Sequence, residues 1–111
     1  MTAFERKVLT ILSRVPAGRV ITYWDVAKLA GKPRAARAVG NIMRTADRPG
    51  LPYHRVIAAG GALGGYTNLA LKRSLLAAEG LTVTPRRVVG FAKVRWTPSV
   101  ARQRRAREGS P

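Results

Sequence analysis

Apolar residues recur at helical spacing in the first part of the chain. Over residues 4–15 they return every three or four positions, which predicts an amphipathic helix with one buried face. The stripe consists of Phe4, Val8, Leu9, Leu12 and Val15. The sequence Pro-Ala-Gly-Arg that follows is typical of a helix end.

A second helix is predicted over residues 23–30. Thr22 stands at its N-cap, and Asp25 three residues later completes a capping box. Gly31 ends this helix, and Pro33 occupies the expected first turn of a third helix that runs to about Arg44. Two short helices joined by a glycine-containing turn, the second basic and rich in small residues, predict a helix-turn-helix.

The second half of the chain predicts shorter elements. Residues 47–66 are rich in proline and glycine and favour a loop, with a short strand or an extended segment at residues 56–59. A fourth helix is predicted over residues 69–79 and ends at Gly80. The apolar bursts beyond it favour two short strands with a turn at Pro85 or Gly90.

The charge balance points to a polyanionic partner. The 111 residues carry 21 Lys and Arg against five Asp and Glu, a net charge of +16. Such a field attracts nucleic acid or an anionic membrane surface. A general preference for arginine would explain the choice of Arg over Lys but not the excess over acids, so nucleic acid is favoured.

Composition also limits the classes of function. The length predicts one domain, residues 1–98, followed by a basic, disordered tail over residues 99–111. There is no cysteine and only one histidine, so we expect no metal and no other cofactor. No apolar run is long enough to span a membrane, and the N-terminal residues do not fit a signal peptide. We therefore expect no membrane partner and a cytoplasmic protein, associated with the nucleoid if bacterial.

Five separated motifs carry a resemblance to a known family: ITYWDVA, RAARAVGNIMR, PYHRVI, GALGGY and LLAAEG. From Phe4 to about Leu81 the chain resembles the C-terminal, DNA-binding domain of the alkylguanine-DNA alkyltransferases. The sequence VRWTP near the end is similar to a signature of the bacterial alkyltransferase-like proteins. The resemblance implies a mainly α fold with short β elements, a single winged-helix-like helix-turn-helix domain of the alkyltransferase C-terminal type.

One position departs from the alkyltransferases in a way that bears on chemistry. Their PxHRV motif carries the cysteine thiolate that removes the alkyl group from guanine O6, and here that position is Tyr53. A phenol with a pKa of about 10 is almost wholly protonated at neutral pH and is a poor nucleophile. The resemblance therefore implies a non-enzymatic monomer that binds O6-alkylguanine in double-stranded DNA, flips the base and flags it for nucleotide excision repair proteins.

The resemblance also implies a DNA-contacting surface. Tyr23 matches the tyrosine that rotates the target phosphate outward, and Arg37 matches the finger that fills the space of the flipped base. In this family the second helix lies in the minor groove, where small residues permit close approach. The remaining predicted DNA contacts are Ala36, Gly40, Asn41 and Arg44. An alternative is that the small residues only pack helix on helix.

The lesion pocket and a remnant of the catalytic relay follow from the same resemblance. The pocket residues are Met43, Tyr53, Val56, Gly65, Tyr66 and Thr67. His54 and Glu79 correspond to the relay that activates the cysteine, and here we expect them to form a hydrogen-bonded structural pair. Gly65 replaces the family's usual asparagine, which changes the expected pocket shape. Tyr53 itself has two interpretations: a ring that stacks on the flipped guanine, or an unreactive filler.

Two other functions remain open from the sequence. The first is an enzyme that transfers the alkyl group to Tyr53 or hydrolyses it with a water activated by His54. The second is a general helix-turn-helix or architectural DNA-binding protein without preference for alkylated guanine.

Overall fold

The computed structural model describes residues 1–64 and 68–98. Within these residues the fold is mainly helical with a short two-stranded sheet, which confirms the predicted fold class. The elements are α1 Ala3–Arg14, β1 Ile21–Thr22, α2 Tyr23–Leu29, α3 Ala36–Thr45, β2 Val56–Ile57, α4 Leu69–Ala78 and α5 Phe91–Val94.

Helix α1 begins where the apolar stripe predicts. Its N-cap is Thr2, whose hydroxyl accepts a hydrogen bond from the amide of Glu5 at 3.1 Å. Val8 and Leu12 are fully buried and belong to a core cluster that also contains residues of α2 and α3. The first three helices therefore share one core, which sets the positions of α2 and α3.

The capping box at the start of α2 is present as predicted. The Thr22 hydroxyl accepts from the amide of Asp25 at 3.0 Å, and the Asp25 carboxylate accepts from the amide of Thr22 at 3.2 Å. Gly31 then takes a left-handed conformation with φ +91°. This conformation, which favours glycine, lets the chain turn towards α3.

Helix α3 begins at Ala36, so the predicted start at Pro33 is wrong. The amide of Ala35 donates to the carbonyl of Lys32 at 2.9 Å, closing a separate turn that contains the proline. Helix α3 therefore begins about one turn later in the sequence than the pattern predicts.

The sheet joins distant parts of the chain. Strands β1 and β2 are parallel, with Ile21 opposite Val56 and Thr22 opposite Ile57, and both strands are buried. Because β1 runs directly into α2, this pairing fixes Tyr23 relative to the segment after β2.

The C-terminal part of the described chain packs on a second core cluster. Val83 and Val88 form an antiparallel bridge around Pro85, as the two-strand prediction suggested. The following apolar burst is helix α5 and not a strand, which corrects that part of the prediction. Gly90, with φ +69°, redirects the chain there, and Phe91 packs against the cluster.

Two further sequence predictions concern the tail and membrane-spanning segments. The tail, residues 99–111, lies outside the described residues, and the domain boundary at 98 stays a prediction. None of the helices among the described residues has the length and apolar character needed to cross a membrane.

Candidate nucleic-acid interface

A cleft of about 1090 Å³ opens between α3, the start of α2 and the start of α4. All six residues predicted to contact DNA line this cleft, together with two of the predicted pocket residues. The lining residues are Tyr23, Ala36, Arg37, Gly40, Asn41, Met43, Arg44, Ala46, Tyr53, Asn68 and Leu71. Four separate stretches of the sequence therefore meet at one surface.

Helix α3 presents one face to the cleft and the other to the core. Val39 is fully buried in the core, whereas Arg37 and Arg44 are exposed. The Arg44 guanidinium donates to the Asn41 side chain at 2.9 Å, which holds these two groups together. The face that lines the cleft is thus basic and polar and carries little steric bulk at Ala36 and Gly40.

Gly40 lies where α3 passes the side chain of Tyr23. A Cβ atom placed on Gly40 would come no closer than 4.0 Å to the Tyr23 ring, an ordinary contact distance. The fold itself therefore accepts an alanine at this position. Packing between α3 and Tyr23 does not account for the glycine.

At Gly64, unlike Gly40, the fold itself requires glycine. Its φ is +74°, and an added Cβ would lie 3.0 Å from the Tyr23 ring and 3.2 Å from the Ala58 amide nitrogen. Both the backbone conformation and the lack of space require glycine here. Gly64 therefore allows the ring of Tyr23 to lie directly against the loop that leads to the predicted pocket.

Tyr53 is held by a hydrogen bond through its hydroxyl. The group donates to the Arg48 carbonyl at 2.9 Å, while the ring lines the cleft and packs against the core. Burial raises the pKa of Tyr53 above its ordinary value, although the contacts with Arg48 act in the opposite direction. The side chain is therefore a protonated donor already engaged with the backbone, and its apolar ring faces the cleft.

Behind Tyr53, the side chain of Glu79 collects hydrogen bonds from several parts of the fold. It pairs with His54 Nε2 at 2.8 Å and with the Arg55 guanidinium at 2.7 Å, and it accepts from the Gly18 amide at 3.1 Å. Burial alone would raise the pKa of Glu79, but these hydrogen bonds and the charge of Arg55 outweigh it and lower the pKa from 4.5 to about 2. Glu79 is thus an ionised anchor, and the predicted contact with His54 is present.

Arg55 was missed by the sequence analysis. Besides binding Glu79, its guanidinium donates to the Val15 carbonyl at 2.8 Å, so it joins α4 to the end of α1. The available signal was the scarcity of carboxylates, since an arginine beside the motif histidine had few other possible partners. We call His54, Arg55 and Glu79 the brace.

Val56 does not line the cleft, which corrects its assignment to the pocket. Its side chain is fully buried in the core, and its backbone is part of β2. Ile57, the other residue of β2, is also fully buried, in the second core cluster, so neither side chain of this strand reaches the cleft. The other predicted pocket residues, Gly65, Tyr66 and Thr67, lie outside the described residues.

Lys72 is a second residue that the sequence analysis missed. It is fully buried, and its ammonium donates to the carbonyls of Val56 at 2.8 Å and Leu63 at 2.5 Å. Burial lowers the pKa of Lys72 from 10.5 to about 8. The only signal of its burial in the sequence was that Lys72 lies at helical spacing from apolar residues. The lysine ties β2 to the segment that leads into Gly64.

Across residues 1–64 and 68–98, His, Asp and Glu side chains form no group of three that could hold a metal ion. The described part of the cleft offers aromatic, aliphatic, amide and guanidinium groups. Such groups suit a polyanion with exposed planar bases.

Residues 3–81 match the model of the family described as 6-O-methylguanine DNA methyltransferase, DNA binding domain. The chain belongs to this family. It is 40% identical over 96 residues to the DNA base-flipping protein of Escherichia coli K12, an alignment that covers 85% of this chain and 74% of that protein. It is 51% identical over 81 residues to the human methylated-DNA–protein-cysteine methyltransferase, covering 70% of this chain but 39% of the human enzyme.

Solved structures of alkyltransferase relatives share the fold. S. pombe Atl1, in complex with damaged DNA that contains O6-carboxymethylguanine, superposes with a TM-score of 0.77 at 27% identity. The match covers 88% of this chain and 98% of Atl1. Mycobacterium tuberculosis OGT in complex with DNA gives a TM-score of 0.67 at 38% identity, covering 72% of this chain and 50% of that enzyme. The described domain is therefore similar both to a protein solved with damaged DNA and to half of a longer protein solved with DNA.

Proposed function

We propose that this member of the alkyltransferase family is a non-enzymatic sensor of O6-alkylguanine. It binds duplex DNA as a monomer through the cleft, flips the alkylated guanine and presents the complex to nucleotide excision repair proteins. The observation that carries the proposal is the meeting of Tyr23, Arg37 and Tyr53 at one cleft, with the phenol of Tyr53 hydrogen-bonded at the position that the resemblance assigns to the alkyltransferases' cysteine.

The surface chemistry of the cleft supports DNA as the ligand. Arg37 and Arg44 are exposed on one face of α3, and the charge of the whole chain is +16. Arginine suits this place because its planar guanidinium can stack between base pairs and hydrogen-bond the cytosine left unpaired by flipping. The complexes of S. pombe Atl1 and of M. tuberculosis OGT with DNA add support from related folds.

The state of Tyr53 argues against alkyl transfer. Displacement at the alkyl carbon requires an electron-rich nucleophile, and the phenol is protonated, with its O–H directed at the Arg48 carbonyl. Burial further disfavours the phenolate.

Selectivity for a lesion follows from two contributions to the binding free energy: the cost of base flipping and the burial of the alkyl group. Flipping costs a few kcal/mol, and it costs less for a base that pairs badly with cytosine. Met43, Leu71 and the ring of Tyr53 then provide apolar surface at the cleft. Each CH₂ of the adduct buried there contributes about 0.8 kcal/mol. Because no turnover follows, the useful result is a long-lived complex available to repair proteins.

The deciding experiment compares two duplexes that differ only by the alkyl group on one guanine. We expect tighter binding to the alkylated duplex, with increased fluorescence of a 2-aminopurine reporter beside the lesion as the base leaves the stack. Equal affinities for the two duplexes would favour a general DNA-binding or architectural protein instead.

A parallel incubation tests for catalysis. Mass spectrometry of the protein and chromatography of the DNA should both show the alkyl group still on guanine after binding. A mass increase on Tyr53, or released alkyl alcohol, would establish an enzyme and overturn the proposal.

A further inference from the structure

We propose that Arg86 and Arg87 form a second phosphate-binding element for duplex DNA, separate from α3. They lie in the turn over residues 84–87, beyond the residues that match the family model. The proposal rests on the proposed binding of DNA at the cleft and adds a contact on the other side of Tyr23.

The backbone of the turn is held by hydrogen bonds on both sides. The Thr84 hydroxyl accepts from the amides of Arg86 at 3.2 Å and Arg87 at 3.1 Å, which closes the turn locally. Its outer strand pairs with the segment before Gly64, where the amide of Leu63 donates to the Arg86 carbonyl at 3.0 Å. Both arginines are exposed, so long cationic side chains project from a fixed base.

This turn lies close to the cleft in space. Leu63, which bonds to Arg86, is followed by Gly64, and Gly64 lies directly against the ring of Tyr23. Tyr23 is a cleft-lining residue. A duplex docked on α3 and Tyr23 would continue past the cleft with one phosphate of each strand for every ~3.4 Å of helix axis, so we expect phosphates in the neighbourhood of this turn.

The two guanidinium groups are available for such a contact. The carboxylates of the described residues are Glu5, Asp25, Asp47 and Glu79. Asp25 pairs with Arg95, and Glu79 pairs with Arg55 and His54. No ion pair within residues 1–64 and 68–98 involves Arg86 or Arg87. Nothing in the described fold thus neutralises two adjacent positive charges, and a phosphodiester backbone is the anion that the neighbouring cleft would bring to them.

The test removes both charges and measures the salt dependence of binding to plain duplex. Each phosphate contact contributes about 0.9 to the slope of log K against log salt concentration, so Arg86→Gln with Arg87→Gln should lower the slope by about 1.8. Affinity should fall about tenfold for plain and alkylated duplex alike, since phosphate contacts carry no base information. Replacing both arginines by lysine keeps the charge and should retain most of the slope.

The matched control is Arg6→Gln with Lys7→Gln. These two residues are also adjacent, basic and exposed, but they lie on α1, which contributes no described residue to the cleft. If the Arg86 and Arg87 double variant changes the slope no more than this control, the inference is overturned. The result also separates this inference from the proposed function, which fails if the unmodified protein binds alkylated and plain duplex equally or removes the alkyl group from guanine.

Discussion

Arg95 and Asp25 form a bidentate ion pair between the C-terminal segment and the start of α2. The Arg95 guanidinium donates to the two carboxylate oxygens at 2.9 and 2.6 Å. The same carboxylate accepts from the Thr22 amide in the capping box. Burial acts to raise the pKa of Asp25, but the bonds from Arg95 and Thr22 outweigh it and lower the pKa. Arg95 thus steadies the helix terminus that carries Tyr23.

Replacing Arg95 with alanine should destabilise the protein by about 1–2 kcal/mol, because Asp25 is left buried without its partner. The value is below that of a fully buried pair, since a third of the Arg95 side chain, 33%, is exposed. Urea denaturation at neutral pH measures the change. Arg95→Lys is the control: it keeps the charge, loses the bidentate geometry and should lose less. An alanine variant as stable as the unmodified protein would show that the pair contributes nothing.

The brace should make stability depend on pH in the acid range. The pKa of Glu79 is about 2 in the folded protein against 4.5 in the unfolded chain, so its contribution is complete above 4.5 and is lost as the pH falls towards 2. The shift corresponds to about 3 kcal/mol. Glu79→Gln should therefore lower stability at pH 7 and flatten the pH dependence of the free energy of unfolding between 4.5 and 2. This assignment is contradicted if the free energy of unfolding changes with pH in the same way in Glu79→Gln and in the unmodified protein.

Tyr53→Cys should not restore efficient alkyl transfer. The brace beside it is intact, but loss of the ring opens space at the cleft, and loss of the hydroxyl frees the Arg48 carbonyl. Displacement needs the sulfur and the alkyl carbon roughly 3–3.5 Å apart and in line. Mass spectrometry after incubation with alkylated duplex should detect little or no modified protein. Rapid, stoichiometric modification would mean that the pocket retains the full geometry of the alkyltransferases.

Gly40→Ala should separate folding from DNA binding. The added Cβ has room in the fold, and alanine stabilises a helix interior by roughly 0.5–1 kcal/mol relative to glycine. If α3 approaches the DNA backbone closely, the same methyl group should weaken binding several-fold. Thermal melting and DNA titration check the two effects. Thr45→Ala, on the same helix but outside the cleft lining, is the control and should leave DNA affinity unchanged.

Arg37→Ala should reduce lesion preference. It removes the group proposed to fill the vacated stack, so affinity for alkylated duplex should fall about tenfold or more. Affinity for plain duplex should change little, and the salt slope by at most about one contact. Arg34→Ala is the matched control, because Arg34 is exposed just before α3 but does not line the cleft.

The basic tail should behave differently from Arg37. Neutralising the four arginines that lie outside the described residues should weaken binding to plain and alkylated duplex alike and flatten the salt slope. These residues are Arg102, Arg104, Arg105 and Arg107. If the tail variant loses lesion preference while Arg37→Ala keeps it, the assignment of α3 as the recognition helix is wrong.

Local signals in the sequence determined most of the helical elements. The capping box of Thr22 and Asp25 depends on residues three positions apart, and α2 begins where it predicts. The apolar stripe of α1 likewise predicts which face of that helix is buried. The local signal at Pro33 misled because a separate turn from Lys32 to Ala35 occupies these residues, and α3 begins only at Ala36. Periodicity and capping act within a few residues, so a sequence contains them in full.

The arrangement of the site was decided by tertiary structure. Val56 belongs to a motif that suggests a pocket, yet parallel pairing with Ile21 directs its side chain into the core. Arg55 became the partner of Glu79 only because the fold brings residues 24 positions apart together. Lys72 looks like a surface lysine in sequence, but two inward carbonyls bind its buried ammonium. Strand pairing and ion pairing depend on which distant segments meet, and no local pattern in the chain encodes that meeting.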